Sequence, residues 1–97
     1  MEQSAAVREI AQTLNAGSRS GRSARLARLM GSSIATVRSW GASGTSEARK
    51  RAMSPSARRM LFLLLALHQA GHDLDRLRSA ARRLEREYLG PEEDDGE

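Results

Sequence analysis

Cysteine is missing altogether from this 97-residue chain, which excludes disulfides, thiolate zinc sites and thiol nucleophiles and is compatible with a reducing compartment. Aromatic residues are nearly absent too: one Trp, one Tyr and one Phe. With two histidines besides, there is little from which to build an acid–base or nucleophilic centre, and no enzyme is expected. No segment alternates apolar and polar residues as a half-buried strand does. The longest apolar run, residues 60–67, is far shorter than the ~20 residues that span a bilayer, so no membrane association is expected. The first residues are polar and form no apolar run of the signal-peptide kind, so no secretory signal is expected. Lysine occurs once, as Lys50, the remaining basic residues being arginine.

What is present is positive charge and helical periodicity. Sixteen basic residues face twelve acids, but five of the acids (Glu92, Glu93, Asp94, Asp95 and Glu97) crowd the C-terminal end, so residues 1–91 carry a net charge of +9. A short chain that basic reads as a binder of a polyanion, and nucleic acid fits better than a lipid surface because the arginines are spread over several segments. The chain has the length of one modest domain, for which pairing with a second copy would add buried surface.

The expected architecture is all-α, a small five-helix protein. Val7, Ile10, Ala11 and Leu14 recur at intervals of three and four, predicting a first helix over residues 3–16, ended by Asn15, Gly17 and Ser18. A polar Gly/Ser/Arg loop follows, with Ser23 as the expected cap of a second helix over residues 24–30. Gly31 breaks that helix, and Ser32 and Ser33 offer hydroxyls to cap a third over residues 34–42. Ser54-Pro55 signals the start of a fourth, running to Gln69 and apolar nearly all round over residues 60–67, hence expected at the centre of the core. Asp73 caps a fifth, whose Leu74, Leu77, Ala81, Leu84 and Tyr88 are spaced 3, 4, 3, 4 like a heptad seam. The acidic end after Pro91 is expected to be disordered.

The stretch from Ala24 to Trp40 carries the most information. Leu26, Ala27, Leu29 and Met30 form one apolar set and Ile34, Val37 and Trp40 a second, with Gly31 between them. Together with Gly44 and the apolar helix beyond, this run resembles the lambda-repressor-like (Cro or XRE type) helix-turn-helix family over roughly residues 7–67. Ala27 is small where two helices cross, Gly31 sits in the turn, and Val37 and Trp40 face inward. Ser32 departs from the pattern, since the family places an apolar residue just after the turn glycine.

The resemblance implies that the third helix enters the major groove of double-stranded DNA, with Ser33, Ala35, Thr36, Arg38 and Ser39 as candidate base contacts and Ile34 divided between core and base. Phosphate contacts would come from Arg22 and Ser23 at the start of the second helix, and from Ser43, Thr45, Arg49, Lys50 and Arg51 after the third. Residues 1–71 would be the DNA-binding domain and residues 72–90 a dimerisation helix, with Leu74, Leu77, Ala81, Leu84 and Tyr88 at the interface of a homodimer. The seam can alternatively pack on its own domain.

The resulting expectation is a cytoplasmic, nucleoid-associated transcriptional regulator acting as a dimeric repressor. Two alternatives stay open: an antitoxin-like or assembly module whose last helix holds a protein partner, and a phage DNA-packaging subunit. No cofactor is expected. His68 and His72 stand four apart, but Gly71 interrupts the helix and no third ligand is near in sequence, so no metal is expected either.

Overall fold

The segments with helical spacing are helices. In the computed structural model, which describes residues 2–42 and 52–90, five helices follow one another: α1 (Gln3–Leu14), α2 (Arg22–Met30), α3 (Ile34–Trp40), α4 (Pro55–Gln69) and α5 (Leu74–Leu89). Among the described residues there is no strand.

Three boundaries differ from expectation, two of them at left-handed residues. Helix α1 stops at Leu14 rather than at residue 16, because Ala16 (φ 55°) and Gly17 (φ 82°) both take the left-handed conformation and the Gly17 N–H returns to the Gln12 carbonyl at 2.8 Å. Helix α2 begins at Arg22, so Ser23 lies inside its first turn and is not its cap. The capping position belongs to Gly21, left-handed at φ 76°, whose carbonyl already accepts the Arg25 N–H at 3.0 Å. Helix α3 ends at Trp40, two residues early, with the Gly41 N–H on the Val37 carbonyl.

Helices α2 and α3 are joined by three residues. Gly31 takes φ 70°, the Ser32 N–H bonds the Ala27 carbonyl at 3.0 Å, and Ser33 caps α3 by accepting the Thr36 N–H at 3.1 Å. Ser32 is half-buried at the position where an apolar side chain was expected.

All five helices contribute to one core. Val7, Ile10, Ala11 and Leu14 of α1 meet Leu26 and Ala27 of α2, Val37 and Trp40 of α3, Leu61 and Leu64 of α4, and Leu74 of α5, with Met53 closing the edge before α4. The expectation that α4 stands at the centre of the core holds for one of its sides only. Leu61 and Leu64 are inside, whereas Met60, Phe62 and Leu63 are exposed, because the other helices cover only one side of it.

Helix α5 is fastened at its beginning. Asp73 caps it by accepting the Asp75 and Arg76 N–H groups, and Leu74 enters the core. Arg25 of α2 reaches both Asp75 carboxylate oxygens, at 2.9 and 3.1 Å, while giving its Nε–H to the Leu14 carbonyl at 2.7 Å. Arg78 Nε donates to the Arg28 carbonyl at the other end of α2. From Ala81 to Leu89 no residue of α5 is buried.

Candidate nucleic-acid interface

Seven residues are too few for a helix to persist alone, so α3 depends on its surroundings. Its inner side is set by Val37 and Trp40, both buried. At its N-terminus the Ser33 hydroxyl takes the Thr36 N–H and also pairs with Thr36 Oγ1 at 2.8 Å. Two side chains of α1 hold the other end. Arg8 Nη1 donates to the Gly41 carbonyl at 2.7 Å, and Gln3 Nε2 donates to the Trp40 carbonyl at 3.2 Å. The Gln3 carbonyl oxygen accepts the Met53 N–H at 2.9 Å, so this one side chain joins the end of α3 to the entry of α4. Helix α1 passes close to Gly41: a Cβ there would lie 3.4 Å from Arg8 Cγ.

With its inner side and both ends occupied, α3 presents Ile34, Ala35 and Arg38 to solvent. Ile34 is thereby assigned to the outer surface and not to the core. Ser33, Thr36 and Ser39 are on the accessible side but have local partners: Ser39 Oγ donates to the Thr36 carbonyl at 2.6 Å, and Ser33 and Thr36 bond each other. Of the five candidate base contacts, Arg38 is the long, exposed group with a full set of donors.

The candidate phosphate contacts divide in the same way. Arg22 and Ser23 open α2 beside α3, Arg22 giving Nη1–H to Gln12 Oε1 at 3.1 Å. Ser43, Thr45, Arg49, Lys50 and Arg51 lie outside the described residues. What the sequence did not single out is Arg8. With Arg22, Ser23 and Arg38 it rims a cavity of about 160 Å³ floored by Val7, Ala11 and Val37. Arg8 and Arg22 also border a second, open groove of about 390 Å³ with Arg19 and Gln12. Four arginines from α1, the first loop, α2 and α3 therefore form a continuous basic face, with Glu9 its acidic member. Arg8 and Gln12 stand one helical turn apart on α1, which is the local signal available. Contact with Gly41, 33 residues later, has no counterpart in the local pattern.

The candidate interface residues of α5 are not equivalent. Leu74 is 4% exposed and belongs to the chain's own core, whereas Leu77 is 38%, Leu84 48% and Tyr88 83% exposed, and Ala81 is exposed as well. His68 and His72 are exposed around the α4–α5 turn, and among the described residues no three metal-ligating side chains come together. No described helix is long and apolar enough to cross a membrane. The chain matches no protein-family model, and no curated protein or solved structure is significantly similar to it.

Proposed function

We propose that this protein is a sequence-specific, double-stranded-DNA-binding transcriptional regulator of helix-turn-helix type, acting as a dimeric repressor that occludes a promoter. The observation carrying this reading is α3 itself: held on its inner side by Val37 and Trp40 and at both ends by Ser33, Gln3 and Arg8, it offers Ala35 and Arg38 outward beside a face of arginines. A major groove about 12 Å across admits an α-helix. In this reading Arg38 reads a guanine edge, Ala35 meets a thymine methyl, and Ser33, Thr36 and Ser39 line the groove. Arg22, Ser23, Arg8 and Arg19 hold phosphates, joined by Ser43, Thr45, Arg49, Lys50 and Arg51. Two copies set their α3 helices about 34 Å apart, one turn of the duplex.

Selection of bound fragments from a random DNA pool, followed by mobility-shift titration, tests this. Arg38→Ala is expected to lose about 10- to 100-fold of discrimination between selected and scrambled sites, corresponding to roughly 1–3 kcal/mol. Arg22→Ala is expected to weaken all sequences alike and to lower the slope of log affinity against log salt by about 0.9. Equal binding of every sequence by the unaltered protein defeats the proposal. The apolar surface left on α4 and α5 favours a second reading, a module that binds another protein through α5. Retention of sequence-selective DNA binding after Leu84→Glu in α5 would separate the two roles.

A further inference from the structure

Removing Leu74 from the seam changes what the rest of it fits. The exposed stripe on α5 is Leu77, Ala81, Leu84 and Tyr88, spaced 4, 3, 4, and that spacing reads the same from either end. A second copy of the helix running the opposite way therefore matches it layer by layer: Leu77 opposite Tyr88, Ala81 opposite Leu84, and the same two layers again. Each small side chain meets a large one, as close packing requires. A copy running the same way in register would instead oppose Ala81 to Ala81, leaving a gap, and Tyr88 to Tyr88.

Charge distinguishes the two directions as well. Arg78 and Glu85 flank the stripe on one side, seven residues apart. In the antiparallel arrangement Arg78 of each copy stands beside Glu85 of the other, twice over. In the parallel one, this flank of one helix lies across the pair from the same flank of the other, so Arg78 and Glu85 of the two copies do not meet. The backbone dipoles of the two helices also oppose each other only in the antiparallel case. Arg78 has its Nε on the Arg28 carbonyl, which leaves guanidinium donors for a carboxylate.

From this we infer that α5 is the site of self-association, and that its occupant is a second copy of this chain bound antiparallel about a two-fold axis passing between Arg82 and Arg83. The inference deepens the dimer of the proposed function but stands on the apolar stripe and its charges, independently of DNA. The seam spans about 17 Å of helix, at 1.5 Å per residue. Its area is below the ~800 Å² per partner of a firmly held complex, so a reversible dimer in the micromolar range is expected.

Sedimentation equilibrium of the full chain from about 1 to 500 µM is the first test. A monomer–dimer equilibrium supports the inference, whereas a monomer throughout, or an assembly larger than a dimer, overturns it. Leu84→Glu is expected to weaken association by about 30-fold or more with unchanged helix content; unchanged association overturns the assignment to this face. Direction is read separately from the single variants Arg78→Cys and Glu85→Cys, in a chain without other cysteines. Their mixture should cross-link under mild oxidation and each alone should not. A mixture that does not cross-link, or a variant that cross-links as readily alone as in the mixture, overturns the antiparallel arrangement. An unaltered chain that stays monomeric yet binds DNA selectively defeats this inference and leaves the DNA reading standing; an unaltered chain that dimerises through α5 yet binds every sequence alike does the opposite.

Discussion

Helices α3 and α5 are both amphipathic, but their apolar sides meet different ends. In α3, seven residues long, Val37 and Trp40 are buried, and the carbonyls of Trp40 and Gly41 are taken by side chains 37 and 33 residues away in sequence. In α5, sixteen residues long, Leu74 is buried, Asp75 and Arg78 bond to α2, and no residue from Ala81 to Leu89 is buried. One helix is short and buried on one side along its length; the other is long and buried only at its beginning. Length therefore does not measure how firmly a helix is integrated. A surface that must recognise something rigid needs the first kind of support, because a loosely held helix loses orientation before it makes a contact. A surface that stands off the body suits an exchangeable partner.

The contrast breaks most sharply on removal of core volume. Leu26→Ala, in α2, is expected to cost ~3 kcal/mol in urea unfolding, since its side chain is fully enclosed in the core that α2 shares with α1, α3 and α4. The same truncation at Leu84, measured dilute enough to be monomeric, should cost less than ~0.5 kcal/mol. A large loss at Leu84 in the monomer would show that α5 packs on its own chain.

Next in size is Arg8→Met, which keeps the apolar stem and removes the bond to the Gly41 carbonyl. The expected loss is about 1–2 kcal/mol, read by thermal or urea unfolding, together with faster hydrogen exchange in α3. Unchanged exchange there would mean that the arginine serves only the outer face. Ser33→Ala should follow at about 1 kcal/mol through loss of the N-terminal cap. The smallest effect belongs to Asp75→Asn at the root of α5. The carboxylate pairs with Arg25 but is 67% exposed, so no more than ~0.5 kcal/mol is expected, diminishing with added salt. A larger, salt-insensitive loss would raise this pair from a surface contact to a structural hinge.

Much of the fold was legible in the residues, and the reasons are local. The spacing of Val7, Ile10, Ala11 and Leu14, and of Leu26, Ala27, Met30, Val37 and Trp40, names inward positions; Met30 is half-buried against the core and the other eight are buried, whereas Ile34 of the same apolar set is exposed. Ser54-Pro55 and Asp73 start α4 and α5 at the expected residues because a cap and its helix are neighbours in sequence. Less legible were the ends set by backbone reversal. Gly21 at φ 76° moved the start of α2 and made Ser23 an interior residue, although serine has the better capping chemistry. The candidate DNA-facing set was recoverable only in part. Arg38 and Ala35 are outward as the α3 periodicity requires, but the mutual bonding of Ser33, Thr36 and Ser39 depends on hydroxyl orientations that spacing does not contain.

The amino-acid sequence by itself determined that this chain is helical, where most of its helices lie, and which side of α1, α2 and α3 turns inward, because helix periodicity is a property of residues three and four apart. Only the tertiary structure decided how much of each apolar surface would be covered. Residues 60–67 are apolar on every side, yet the chain has enough helix to enclose Leu61 and Leu64 and leaves Phe62 and Leu63 outside. The seam of α5 is continuous in sequence, and the fold divides it, taking Leu74 into the core and leaving Leu77, Ala81, Leu84 and Tyr88 uncovered. Arg8 and Gln3 likewise acquire their task at the end of α3 only when α1 is laid against it. Coverage and long-range hydrogen bonding depend on which elements come into contact, and no window of neighbouring residues carries that information.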